Sequence, residues 1–494
     1  MYIHQHPNEH KHIIPDSVPG FPFHTLVSRL WPFTSFKAQP FGSIMPMHAW
    51  SRFSPFMVVV CIFLLAACSD FIHPVNSTPE PTEYSFNYWL LQSLYLYEDE
   101  LPDLPKDGDS VQLLYNPLTD PYTYYTPPGK ESEDKSTKTN TSKIIGGDVG
   151  MRYYNITGIE YPIYIARVYP KSPAGRAGIP RYGNILSVNG IELKGEHAKA
   201  TYDSTLTFNK NIDLLIAYKG DTTLYKLQKE EVFAPTIFVD TLFENASKGY
   251  PGIVFIRIEG FKPKTADPDS GTYGELKDYL ISTKKDKRVR VLDLRNNPGG
   301  HVFQSTRMAD LFVSKGTLST KKMRSLTADG GSVNSISTTV AKAGDIGESG
   351  KYIILANRAS ASASEIFIAA VTELTDIPMV GTRTFGKGIG QSQIWTYERG
   401  LATITSLEFK TPKGTSYHGK GISPKYECER GIVNDTCAAL VANKIYGVKI
   451  PKQEKSALAK NYTETTDDIK EFEGGAIEWA DRDSYLQIFE KLNH

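Results

Sequence analysis

Charge of either sign is missing in excess: 55 Lys and Arg stand against 55 Asp and Glu in 494 residues. A chain with zero formal charge offers no broad field for a polyanion, so composition gives no argument for nucleic acid or an anionic surface as partner. Long apolar runs are missing at the N-terminal end, where the run at 56–67 (FMVVVCIFLLAA) falls short of the about 20 residues that cross a bilayer as a helix. Cysteine is scarce, with four in the chain, and neither a metal-ligand cluster nor a phosphate-binding loop is present. Gly386-x-Gly388-x-Gly390 lacks the G-x-G-x-x-G spacing and the strand–helix setting of a dinucleotide loop. His6-x-x-Glu9-His10 spells a zinc-protease motif, but Pro7 opposes the helix such a motif needs. No metal or cofactor is expected.

What is present near the start reads as targeting information. The run 56–67 suits the apolar region of a secretory signal, and Arg52 supplies its positive flank. Leu65-Ala66-Ala67-Cys68 resembles a bacterial lipobox, which implies lipidation of Cys68 as the first residue of the mature chain. Residues 1–67 are therefore set aside as a signal region. Roughly fifty residues precede the positive flank where a signal has only a few, which places the start at Met45 or Met47 and makes 1–44 an extension. The lipobox implies an exported lipoprotein of the bacterial cell envelope, held to a membrane by its lipid. Cys61 lies in the signal and Cys68 at the lipid site. Cys428 and Cys437 remain, either as a small disulfide loop in an oxidising compartment or as two free buried thiols.

The length suggests about three domains. A polar, Pro-bearing tether (76–82) follows Cys68. Phe86, Trp89, Leu90, Leu94, Tyr97 and Leu101 recur at helical spacing up to Pro102, predicting an N-terminal helical cap. The stretch 127–143 is polar and aperiodic, so 68–145 reads as tether, cap and linker. Over 250–430, strand-like runs at 253–256, 289–294, 352–356 and 402–409 alternate with helix-like runs at 302–313 and 362–374. That is the pattern of an α/β layered core. Residues 431–494 form a C-terminal extension, whose charged and partly helical end carries no legible role.

Within that core, Ser360-Ala361-Ser362-Ala363-Ser364-Glu365 opens an apolar helix. A serine at a helix start lies where free N–H groups and the helix dipole favour negative charge, the condition an acyl-transfer oxyanion requires. Lys387 sits on a Gly-flanked loop beyond the strand 377–381, so folding can return it to the serines. By residue type alone Ser360, Ser362 and Ser364 are equivalent, and a helix cap explains each of them equally well.

Ile354-Leu355-Ala356-Asn357 followed by SASASE, then Val380-Gly381 and Phe385-Gly386-Lys387-Gly388 with Gln391, resembles the C-terminal processing (tail-specific) serine peptidase family. Val291-Leu292-Asp293-Leu294-Arg295-Asn296-Asn297-Pro298-Gly299-Gly300 is similar to that family's other hallmark, and the motifs stand in the family's order. The likeness covers about 83–430 and extends to Asp120-Pro121-Tyr122-Thr123. It implies a crotonase-like (ClpP/crotonase-like) α/β protease core with an inserted PDZ domain at 146–230 and a helical cap. Val168-Tyr169-Pro170 with Ser172-Pro173-Ala174-Gly175-Arg176-Ala177-Gly178-Ile179, and Gly183-Asn184-Ile185-Leu186-Ser187-Val188-Asn189-Gly190, resemble PDZ elements, with Asn184 in place of the usual Asp.

The resemblance implies a serine endopeptidase that forms an acyl-enzyme on protein or peptide substrates with free C-termini. Ser362 maps onto the nucleophile, Lys387 onto the general base and Gln391 onto the residue that orients it. The N–H groups of Gly300 and Ala363 map onto the oxyanion hole, and Val149-Gly150-Met151 onto the loop that takes a peptide carboxylate. Ser360 and Ser364 are then caps or packing contacts, Glu365 stabilises the helix start, and His301 and His418 fall in no motif. A lysine base must be buried to bring its pKa down from about 10.4 towards neutrality. The alternative from another class is a non-catalytic peptide- or ligand-binding scaffold of the same fold. Such a scaffold would not need Ser362, Lys387 and Gln391 in register.

Overall fold

The computed structural model describes residues 81–130, 143–342, 344, 346–451, 463–464, 476–479 and 482–493. The expected signal at 1–67, Cys68, the first part of the tether and the linker stretch 131–142 lie outside the described residues. The chain divides into two units, 1–76 and 77–494, and the described structure belongs to the second.

The region carrying the serine and lysine motifs is built on a six-stranded sheet. Ile237–Asn245 runs antiparallel to Tyr250–Ile258, and Arg290–Asp293, Tyr352–Ala356, Met379–Gly381 and Tyr426–Glu427 follow in parallel. Every residue of Arg290–Asp293 and Tyr352–Ala356 is buried. That is why Tyr352–Ala356 reads as an unbroken apolar run and Val291–Leu292 stay apolar between Arg290 and Asp293: a parallel sheet is covered on both faces. Val254, Ile256, Leu292 and Ile354 face Leu276, Met308 and Phe367 of the helices Gly271–Ser282, Val302–Asp310 and Ala363–Leu374. Ile253, Phe255, Val291, Ile353 and Leu355 face Ala438, Ala439 and Ala442 of the helix Asp435–Tyr446. Each fully buried aliphatic side chain contributes about 1.5–3 kcal/mol over leaving it exposed.

This topology explains why motifs far apart in the chain meet. Arg290–Asp293, Tyr352–Ala356 and Met379–Gly381 are adjacent and parallel, so the loops that follow them leave from the same end of the sheet. Those loops carry Asn297 to Gly300, Ser360 to Ser362 at the start of Ala363–Leu374, and Lys387. In open α/β sheets that edge is where sites form.

A second sheet has the order Ser332–Val340, Thr317–Leu326, Leu401–Lys410, Ile389–Trp395, Ala476–Trp479, with Tyr124–Thr126 also on Leu401–Lys410. It carries Gln391 and Thr405. A third, PDZ-like sheet joins Thr463–Glu464, Met151–Asn155, Ile163–Val168, Asn184–Val188, Asn211–Tyr218 and Asp221–Gln228, with the helix Ala198–Phe208 packed on it. Asn184, where the resemblance leads one to expect Asp, donates its amide to the carbonyls of Tyr161 and Ile163 at 2.9 and 3.0 Å. An aspartate has no N–H to make those bonds.

The N-terminal helix ends earlier than its periodicity predicts. It spans Glu83–Leu94, and Tyr95 is already extended. The chain leaves the helix because Leu96 N–H bonds the carbonyl of Thr405 at 2.9 Å, docking the cap on the second sheet while Tyr95 and Leu96 are buried. A tertiary partner thus stops the helix well before Pro102.

Candidate active site

Ser362 is buried and sits at the N-terminus of Ala363–Leu374 with φ 55° and ψ −116°. A non-glycine residue in that region carries a backbone cost of about 1–3 kcal/mol, repaid only where surrounding contacts hold it. The holding contacts come largely from its neighbours. Ser360 Oγ donates to the Leu294 carbonyl at 2.8 Å and Ser364 Oγ to the Asn297 carbonyl at 2.9 Å. The Ala361 N–H also reaches the Asn297 carbonyl, at 3.0 Å. Two of the three serines are thus spent tying the helix start to the loop after Arg290–Asp293, and Ser362 lies between them.

Glu365 does more than cap this helix. Its carboxylate, wholly buried, accepts the N–H of Ser362 at 3.0 Å, of Gly386 at 2.7 Å and of Lys387 at 2.7 Å, and the Thr384 hydroxyl at 2.5 Å. Burial pushes its pKa up, and these donors pull it back. The Ser362 turn and the Lys387 loop are therefore fastened to one carboxylate. From sequence, Glu365 reads only as a stabiliser of the helix start, because nothing in the local spacing shows that the loop at 384–387 returns to it.

Lys387 is 4% exposed. Its Nζ donates to Gln391 Oε1 at 3.2 Å, and Gln391 Nε2 donates in turn to Thr405 Oγ1 at 3.2 Å. The Tyr122 ring centroid lies 4.3 Å from Nζ. Burial brings the lysine pKa down to about 7, with the carboxylate of Asp120 acting in the opposite direction. Asp120 itself accepts the Tyr122 N–H at 2.9 Å and the Thr123 hydroxyl at 2.7 Å. Nothing in the local sequence marks Thr405 as a site residue, and the DPYT segment is the one signal that points to Tyr122.

Gly299 and Gly300 have φ of 105° and 129°, open to glycine and strained for other residues. A Cβ at Gly300 would lie 2.4 Å from the Phe261 carbonyl oxygen, and one at Gly299 2.9 Å from the Ala363 nitrogen. The bridge between Phe261 and Gly300 uses the Gly299 carbonyl and the His301 N–H, passing over the Gly300 N–H. Ala363 is the first residue of its helix, so its N–H has no helix carbonyl to bond. His301 and His418 are partly buried with pKa values pushed down by burial.

The structure thus brings Ser362, Lys387, Gln391, Gly300 and Ala363 to one end of the core sheet. Val149, Gly150 and Met151 belong to another sheet, at the start of the strand Met151–Asn155. Cys428 and Cys437 form a disulfide with a Cα–Cα distance of 5.7 Å, under the face covered by Asp435–Tyr446. Among the described residues there is no group of three or more His, Cys, Asp and Glu placed to hold a metal, and no helix long and apolar enough to cross a membrane.

Residues 252–428 match peptidase family S41. A protein of Staphylococcus aureus (strain COL) named "Probable CtpA-like serine protease" is 30% identical over 345 residues, 68% of this chain and 62% of that protein. Its namesake in Staphylococcus saprophyticus is 29% identical over 338 residues, 66% of this chain and 62% of that protein. The chain thus spans 62% of the length of these relatives. Among solved structures, a photosystem II D1 C-terminal processing protease aligns at 20% identity and a TM-score of 0.42, over 73% of this chain and 97% of that one. By this match, the α/β core at 252–428 is similar to peptidase family S41.

Proposed function

We infer that the chain is a serine endopeptidase of the Ser/Lys type, lipid-anchored at Cys68, whose PDZ-like module receives the C-termini of protein substrates. The proposed segments are 146–230 for that module, 250–430 for the peptidase core and 431–494 for the extension. The observation that carries the reading is a buried Lys387, bonded to Gln391 and fastened with Ser362 to the same Glu365 carboxylate. A solvated lysine is a poor base at neutral pH, whereas a buried one near neutrality can act as one.

In this mechanism Lys387 Nζ, neutral and oriented by Gln391, accepts the Ser362 Oγ proton as Oγ attacks the scissile carbonyl carbon. The oxyanion is met by the N–H groups of Gly300 and Ala363. Collapse breaks the C–N bond, and the leaving amine takes the proton from Lys387, which leaves an acyl-enzyme on Ser362. Water then attacks that ester with Lys387 again as base, releasing the acid and restoring Oγ–H.

Residues 69–494 should degrade an unfolded protein, and Ser362→Ala should not. Free-acid peptides should be turned over faster than their C-terminally amidated forms. Cleavage by both proteins would remove Ser362 as nucleophile; cleavage by neither would favour the non-catalytic scaffold. Anchoring has its own check. Cys68→Ala should leave an unlipidated precursor still uncut after Ala67, and normal lipid labelling of that variant would reject the lipobox.

A further inference from the structure

The edge of the PDZ-like sheet that would receive a peptide strand is taken by this chain itself. Met151–Asn155 pairs on one side with Ile163–Val168 and on the other with Thr463–Glu464. The second pairing is antiparallel, with Thr463 opposite Asn155 and Glu464 opposite Tyr154. The segment therefore runs towards the 149–151 loop, the direction in which a C-terminal peptide adds to such an edge. The helix Ala198–Phe208 flanks the same strand, with the Tyr153 and Tyr202 rings 4.9 Å apart and the Tyr153 hydroxyl bonded to Asp203.

The loop is also satisfied from within. Gly150 N–H donates to Asp148 Oδ1 at 2.5 Å, and the neighbouring Val149 and Met151 N–H groups help to offset the upward push of burial on the same carboxylate's pKa. These are the groups on which a peptide's terminal carboxylate would rest. Downstream, the extension is held by two attachments. Ala476–Trp479 adds in parallel to Ile389–Trp395, with Ile477 opposite Gln391. The helix Arg482–Asn493 buries Phe489, its ring 5.1 Å from that of Phe86 and 5.3 Å from that of Trp89.

We propose that Thr463 and Glu464, together with Asp148, are an internal ligand of the PDZ-like module. The extension fills the strand position and the Asp148 side chain fills the carboxylate position until a substrate C-terminus displaces both. This rests on the reading that the edge receives substrate C-termini. The physical logic is one of unequal competition. The segment is joined covalently to the rest of the chain on both sides, so it competes as an intramolecular partner at a high effective concentration. It passes the edge as an internal segment and brings no terminal carboxylate. A peptide with a free C-terminus brings both a strand and a carboxylate, and can take both positions at once.

The test uses the full chain carrying Ser362→Ala, so that peptide survives, with Asn155→Cys and Thr463→Cys at the paired positions. The probe is a fluorescein-labelled peptide ending in Val-Ala-Val with a free carboxylate, followed by anisotropy. Oxidation should form the cross-link, seen by mass after non-reducing digestion, and weaken peptide binding about tenfold or more. Reductant at a level that leaves the parent's affinity unchanged should restore it. Conversely, Thr463→Pro with Asp148→Asn, without the cysteines, should tighten binding about tenfold over the parent. Failure of the cross-link to form would overturn the placement of the extension. A cross-link that leaves affinity unchanged would overturn the proposal differently: the extension would be in place, but the edge would not be where peptides bind.

Discussion

Lys387→Arg should reduce kcat/KM by about a thousandfold or more, because a guanidinium stays protonated and cannot accept the Ser362 proton. In the wild type, kcat/KM should rise about tenfold per pH unit below about 7 and level off above it, following the ionisation that burial brings down to about 7. The same shift has a signature in stability. The lysine pKa is lowered from 10.5 in the free side chain to about 7 in the fold, so between those values the unfolded chain binds the extra proton. Stability from this residue is therefore full above about 10.5 and lost as pH falls towards 7. At about 1.36 kcal/mol per unit the loss is of order 5 kcal/mol. Lys387→Met, which cannot ionise, should be inactive but should gain in melting temperature over the wild type progressively from pH 10 down to pH 7. A Lys387→Arg enzyme with near wild-type turnover, or a pH-independent stability gap for Lys387→Met, would eliminate the neutral-lysine base.

Glu365 carries the second large effect. Replacing it with alanine strands four buried donors, the N–H groups of Ser362, Gly386 and Lys387 and the Thr384 hydroxyl. Each unmade bond costs about 1–3 kcal/mol, so Glu365→Ala should unfold several kcal/mol more easily. Glu365→Gln is the more telling variant. Both carboxylate oxygens accept here, so an amide would set its NH2 against N–H or O–H donors on one side. Glutamine should therefore recover little of the lost stability. It should lower kcat by about a hundredfold while leaving KM nearly unchanged, since the turn and the base are displaced relative to each other and the PDZ-like sheet is untouched. Thermal unfolding and steady-state kinetics of the two variants decide the matter. Wild-type stability and kcat in Glu365→Gln would show that the carboxylate does not hold the two loops in register.

Much of this was legible in the chain because it is local. A buried parallel strand such as Tyr352–Ala356 declares itself as an apolar run, since both faces are covered. Gly299 and Gly300 stand where positive φ and close backbone approach exclude a Cβ. Tertiary structure alone decided what depends on distant partners. The first helix ends at Leu94 because Leu96 is claimed by Thr405, more than three hundred positions away; periodicity carries no information about that bond. The three serines are identical in type, and only the carbonyls of Leu294 and Asn297 distinguish Ser360 and Ser364 from Ser362. Glu365 reads as a helix cap until the Lys387 loop folds back onto it. The extension, unreadable as a sequence, acquires its place through Phe489 against Phe86 and Trp89 and through backbone pairing with Met151–Asn155 and Ile389–Trp395, and strand addition is written in main-chain hydrogen bonds that every residue type shares.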